Sequence, residues 1–136
     1  MVGVYFDNRL IDELISSDDE KASEFLVEAT DKLLQKYEIQ EIIYANGPGS
    51  FMGIKVAYII FQTLSIALKI PFHSVSGFDL NGKKPIQANK HLSFVLDDAG
   101  KITLKKSKGE SFALPLDISN LNISSDILPN YVIDAI

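Results

Sequence analysis

The sequence predicts an α/β fold on three grounds. Short apolar runs alternate with two long helical patterns over residues 1–75. A Gly-Pro-Gly turn joins one of these runs to the second helix. The composition, 46% hydrophobic and 23% charged in 136 residues, is that of one packed domain. At that length roughly two-thirds of the unfolded chain's surface can be buried, so no covalent staple is required.

The elements follow in order. Val2 to Phe6 reads as a strand, Asp7-Asn8 as a turn and Leu10 to Ile15 as the returning strand of a hairpin. Ser17-Asp18-Asp19-Glu20 fits a capping box, with acids at the positive end of a helix. That helix runs to about Tyr37, with apolar positions at Ala22, Phe25, Leu26, Ala29, Leu33 and Leu34. Their spacing assigns Leu26, Ala29 and Leu33 to the core. Ile42 to Ala45 reads as a buried strand, parallel by its continuous apolar character. After Asn46-Gly47-Pro48-Gly49-Ser50 a second helix is expected from about Ser50 to Leu68. Its polar positions reduce to one narrow stripe, Lys55, Gln62 and Lys69, spaced by seven. A helix that is apolar almost all round needs cover on two sides. The sheet supplies one; the first helix or a partner supplies the other.

Pro71 to Val75 reads as a further strand, and residues 79–90 as a linker by their Asn, Gly, Lys and Pro content. His91 to Leu96 and Ile102 to Leu104 flank Asp97-Asp98-Ala99-Gly100-Lys101, a hairpin signature. Ser111 to Leu116 reads as a third short strand, and residues 117–136 show no period. The division expected is 1–80 for a first lobe and 81–136 for a reduced second lobe carrying the β-hairpin.

Cysteine is absent, which excludes disulfides, thiolate metal sites and thiol catalysis and fits a reducing compartment. The most apolar run, Val56 to Leu68, is 13 residues long and holds Gln62, Thr63 and Ser65, too short and polar to span a bilayer. The start of the chain has no basic segment and meets an acid at Asp7, so a cytoplasmic location is expected. Net charge is −5 but uneven. Residues 1–50 carry eleven acids and four bases, whereas residues 51–109 carry three acids and nine lysines. Such asymmetry suits oriented docking. Direct RNA binding through Lys83, Lys84, Lys90, Lys101, Lys105, Lys106 and Lys108 is the weakest reading, given the acidic total.

Candidate chemistry centres on Gly47, Pro48, Gly49, Ser50 and Gly53. A glycine-rich turn between a strand and a helix presents backbone N–H groups that hold an anion. The competing assignment is purely structural, with Gly49 at positive φ and Gly53 allowing close helix packing. The motif is neither a Walker A loop nor the dinucleotide fingerprint, because Lys55 is misplaced and the glycine spacing is Gly-x-Gly-x-x-x-Gly. His73 and His91 are the only histidines, 18 apart and without metal-site spacing. His73, in an apolar strand, reads as a packed or hydrogen-bonded residue. Asp7 and Asp97-Asp98 fall at turns, where acids are common. Ser50 and Ser76 lack a base partner. No catalytic constellation, metal site or cofactor is indicated.

The run Ala45-Asn46-Gly47-Pro48-Gly49-Ser50-Phe51-Met52-Gly53-Ile54-Lys55-Val56-Ala57, with Ile70-Pro71 and Val75-Ser76-Gly77-Phe78 following, resembles the TsaB (YeaZ) family of tRNA threonylcarbamoyladenosine biosynthesis proteins. The likeness weakens outward over about residues 1–80. Met52 stands where that family usually has Thr, and Lys55 where it usually has Arg. The family opens with an additional strand, and this chain starts at what resembles the second. The resemblance implies a ribonuclease-H-like (actin-like, ASKHA) first lobe with a mixed sheet and two main helices, followed by a small β-rich second part. It implies a non-catalytic subunit that binds and activates a TsaD-like enzyme, joined by a TsaE-like ATPase, with tRNA reached only through the complex. The family's glycoprotease label brings no protease activity here, since a His-x-x-x-His pair is absent. Helices at about 18–37 and 51–68 correspond to the family's partner surface, with Phe51, Lys55, Tyr58, Ile59 and Gln62 as candidate contacts and a homodimer expected when alone. The alternative is a nucleotide- or anion-binding Rossmann-like enzyme that uses the Gly-Pro-Gly-Ser loop.

Overall fold

The structure, a computed structural model, describes residues 1–17, 21–49, 51–87, 92–106 and 113–130. The capping-box residues 18–20, together with Ser50, Lys90, His91 and Lys108, lie outside the described residues. The arrangement is mixed α/β.

Strands β1 (Val2–Phe6) and β2 (Arg9–Leu14) form an antiparallel hairpin. Asp7 and Asn8 both take positive φ, 50° and 67°, the pattern of a two-residue I′ turn whose twist matches its strands. Helix α1 (Ala22–Lys36) presents Leu26, Ala29 and Leu33 to the interior, as their spacing requires. Its N-cap is Lys21, whose side chain makes no capping bond. Asp12 on β2 ties the hairpin to the end of α1, accepting from Lys36 Nζ at 3.1 Å and Tyr37 Oη at 2.9 Å. These two donors hold its carboxyl below the usual value and push the Lys36 ammonium above its own.

Strands β3 (Ile42–Ala45) and β4 (Phe72–Val75) pair in parallel, joined by helix α2 (Phe51–Leu68) as crossover. Tyr44, Tyr58, Phe61 and Phe72 stack between this pair and α2, with ring centroids 5.1–6.5 Å apart. Helix α1 packs beside α2. The two strand pairs are not joined into one mixed sheet, because no described strand bridges β1 to β3.

Where a linker was expected, the chain instead forms α3 (Gly77–Leu80) and β5 (Ile86–Gln87). Ser76 caps α3 by accepting from the Phe78 N–H, and Phe78 is 1% exposed. Strand β5 joins β6 (Leu92–Leu96) and β7 (Ile102–Lys106) in an antiparallel sheet. Asp97 closes the β6–β7 turn, its Oδ1 accepting from the N–H groups of Ala99 and Lys101. The third strand of this sheet is thus β5. Residues 111–112 lie outside the described residues, and 113–116 form no strand.

Residues 113–130 run back over both strand pairs. Arg9 bridges Asp117 and Ser74 bridges Ser124, each antiparallel. A side chain at Gly3 would meet Leu114 Cδ1 at 2.7 Å, so the returning segment lies close across β1 and the Leu114 side chain would have to move for any larger residue.

Candidate functional site

Two surfaces carry the residues singled out in the sequence. The first is the loop between β3 and α2. The positive φ falls at Gly47 (132°) and not at Gly49, which corrects the expectation above. A Cβ on Gly47 would collide with the Asn130 carbonyl. Gly47 and Pro48 are buried, and the Gly47 carbonyl accepts the Gly77 N–H at 2.9 Å. Asn46 closes the edge of the pair, donating to the Val75 carbonyl and accepting the Asn130 N–H at 2.8 Å. The described part of the loop is therefore packed between α3 and the returning segment, with the Asn46 and Gly47 carbonyls hydrogen-bonded to them. Ser50, the remaining loop residue, is outside the description. Gly53 is half-buried on α2.

The second surface is the outer side of α2. Met52, Ile59 and Ile66, seven apart, are 60%, 51% and 71% exposed. Val27 and Leu34, also seven apart, are exposed on the neighbouring α1. A seven-residue period keeps side chains on one stripe of a straight helix to within about 20° per step. Of the candidate contacts, Lys55 is exposed and Gln62 half-buried. Tyr58 points the other way, with its ring 6.1 Å from Tyr44 and 6.4 Å from Phe72. For Phe51 the helix backbone is described and the side chain is not. Met52 and Ile66, which the candidate contacts do not include, share the exposed stripe of Ile59, and their spacing of seven around it is the available signal.

His73 is half-buried, its Nδ1 2.8 Å from Glu41 Oε2. Of the lysines, Lys101, Lys105 and Lys106 are exposed around the edge strand β7, while Lys83 pairs with Asp79. Among the described residues no group of three His, Asp or Glu is placed to hold a metal ion. No helix among them is long and apolar enough to cross a membrane.

An α/β chain with this loop and helix pair can be set beside known proteins. The sequence model of TsaD, described as tRNA N6-adenosine threonylcarbamoyltransferase, matches residues 17–108. The TsaB protein of Buchnera aphidicola subsp. Acyrthosiphon pisum (strain APS), a tRNA threonylcarbamoyladenosine biosynthesis protein, is 36% identical over 59 residues, which are 43% of this chain and 27% of that one. Its counterpart from Buchnera aphidicola subsp. Schizaphis graminum (strain Sg) is 34% identical over 47 residues, 35% of this chain and 22% of that one. These matches span about a quarter of the length of those curated relatives. YeaZ from Pseudomonas aeruginosa overlaps 76% of this chain and 52% of its own at a TM-score of 0.44 and 18% identity. An uncharacterized protein with similarity to peptidase YEAZ from Pseudomonas aeruginosa overlaps 87% and 65% at 0.49 and 21%. The chain belongs to the family of that TsaD model, and the curated proteins it matches in part are TsaB proteins.

Proposed function

We propose that this chain is a non-catalytic subunit in tRNA threonylcarbamoyladenosine synthesis that binds and activates a TsaD-like enzyme through the outer side of α1 and α2. The observation that carries the reading is the stripe of Met52, Ile59 and Ile66 beside Val27 and Leu34. Exposed large apolar side chains aligned on adjacent helices mark an association surface. Lys55 and Gln62 flank that stripe as polar contacts, and Phe51, seven residues before Tyr58, is a candidate contact by its place at the start of α2 alone. Tyr58 supports the surface from beneath. A TsaE-like ATPase joins the assembly, tRNA is met only through the complex, and in the absence of the enzyme two copies pair through the same helices. Residues 1–80 then form a ribonuclease-H-like first lobe, residues 81–136 a reduced second lobe with a β-hairpin, and the complex works in the cytoplasm.

The family membership and the inward packing of the Gly47–Pro48 loop support this reading over nucleotide binding at that loop. The test is binding of the full chain to a TsaD-like subunit, compared with an Ile59→Ser chain. Equal affinity of the two overturns the surface; no affinity of either overturns the function.

A further inference from the structure

The returning segment 124–130 is attached in an unusual way. Its side chains contribute little: Ser124, Ser125, Asp126, Leu128 and Asn130 are exposed, and only Ile127 and Pro129 are half-buried. Its backbone makes the attachments. Ser124 exchanges both hydrogen bonds with Ser74, at 2.8 and 2.9 Å. The Ser74 hydroxyl donates to the Asp126 carbonyl at 2.6 Å, and the Tyr44 hydroxyl donates to the Ile127 carbonyl. The Asn130 N–H donates to the Asn46 carbonyl. Inside the segment, the Asp126 N–H donates to Ser124 Oγ at 3.0 Å and the Leu128 N–H to Asp126 Oδ1 at 3.2 Å. The segment therefore keeps its own turn and is anchored by a few polar contacts. Such a piece detaches as a unit at lower cost than the core it lies on.

What it touches gives detachment a consequence. The Asn130 carbonyl lies where a Cβ of Gly47 would stand. Gly47 holds the N–H of Gly77 at the start of α3, and Ile54, buried on α2, lies against the same glycine. Tyr44, which grips Ile127, stacks on Tyr58 of α2. The segment thus reaches α2 by two routes, through the loop and through the Tyr44 ring.

We propose that residues 124–130 form a releasable strap whose closure fixes the Gly47–Pro48 loop and, through Ile54 and Tyr44, the seating of α2. Release frees the Asn46 carbonyl from the Asn130 N–H, removes the Asn130 carbonyl from against Gly47 and loosens the first turn of α2. Control of the outer face of α2 by the strap rests on the partner surface proposed above; the coupling of strap to loop does not.

Amide hydrogen exchange on the full chain, resolved residue by residue, tests the coupling. Tyr44→Phe removes one anchor and keeps the ring. The expected result is at least tenfold faster exchange at the Asn130 and Ser124 N–H groups together with Gly77 and the first turn of α2, while the β6–β7 amides keep their rates. Faster exchange in the strap with Gly77 unchanged overturns the proposal, as does an unchanged strap. If Tyr44→Phe also accelerates β6–β7, Asn130→Pro decides, since it deletes a strap donor and leaves the core side chains intact. Gly77 must again accelerate, and an unaltered Gly77 overturns the coupling. None of these outcomes depends on a TsaD-like partner.

Discussion

Ile59 and Tyr58 are neighbours in sequence with different surroundings, one half exposed and one packed on Tyr44 and Phe72, and their substitution tests the proposed association surface against the core. Ile59 is 51% exposed. Full burial of such a side chain is worth about 1.5–3 kcal/mol, so the exposed half leaves about 1 kcal/mol to be gained on association. Ile→Ser is close to neutral in helix propensity, and the fold loses at most about 1 kcal/mol from the half already buried. In a two-fold pair each substitution counts twice, about 2 kcal/mol, or roughly 30-fold in the dissociation constant. Tyr58→Ala removes a ring packed on Tyr44 and Phe72. Truncating a buried aromatic costs about 3–5 kcal/mol, and a half-buried one about 2–3. At roughly 3–4 °C per kcal/mol for a chain of this size, its midpoint falls by about 8 °C. Sedimentation equilibrium and thermal unfolding on both chains give the two readouts. If Ile59→Ser unfolds earlier while associating normally, Ile59 is core and the surface is elsewhere.

Three further outcomes are expected. Asp12 is held below its ordinary carboxylate value in the folded chain, first by Lys36 and then by Tyr37, so its contribution is present above about pH 4 and is lost as pH falls through the folded value. Asp12→Asn should therefore lower the unfolding midpoint at pH 7, and the gap to the unaltered chain should narrow as pH falls below the ordinary carboxylate value; a gap that does not narrow contradicts the pairing. Gly47→Ala places a side chain at positive φ against the Asn130 carbonyl and should cost about 1–3 kcal/mol in urea unfolding, whereas Gly49→Ala should cost less. Phe78→Ala should cost about 3–5 kcal/mol by the same measurement, because α3 buries that ring completely; a surface-like cost under 1 kcal/mol would return residues 77–90 to the status of a linker.

The parts legible in the sequence are those whose cause is local. The α1 periodicity places Leu26, Ala29 and Leu33 inside, Asp7-Asn8 demands a tight turn, and Asp97 with Gly100 closes the β6–β7 turn. Parallel pairing of Ile42–Ala45 followed from its unbroken apolar run. The misreadings are non-local. The positive φ is at Gly47, not Gly49, and the carbonyl packed against Gly47 belongs to Asn130, 83 residues away, which the loop's own residues do not announce. Residues 77–80 have a loop composition, and one buried ring, Phe78, makes them a packed helix. Residues 124–130 show no period because backbone groups hold them to Ser74, Tyr44 and Asn46. On α2, an almost uniformly apolar sequence hides which side is wet, and the rings of Tyr44 and Phe72 decide that Tyr58 faces inward.

Light scattering after gel filtration, on the full chain alone and mixed with a TsaD-like subunit, tests the central claim most directly. A homodimer that converts to a 1:1 complex is expected, with Ile59→Ser weakening both. A monomer that ignores the TsaD-like subunit would contradict it.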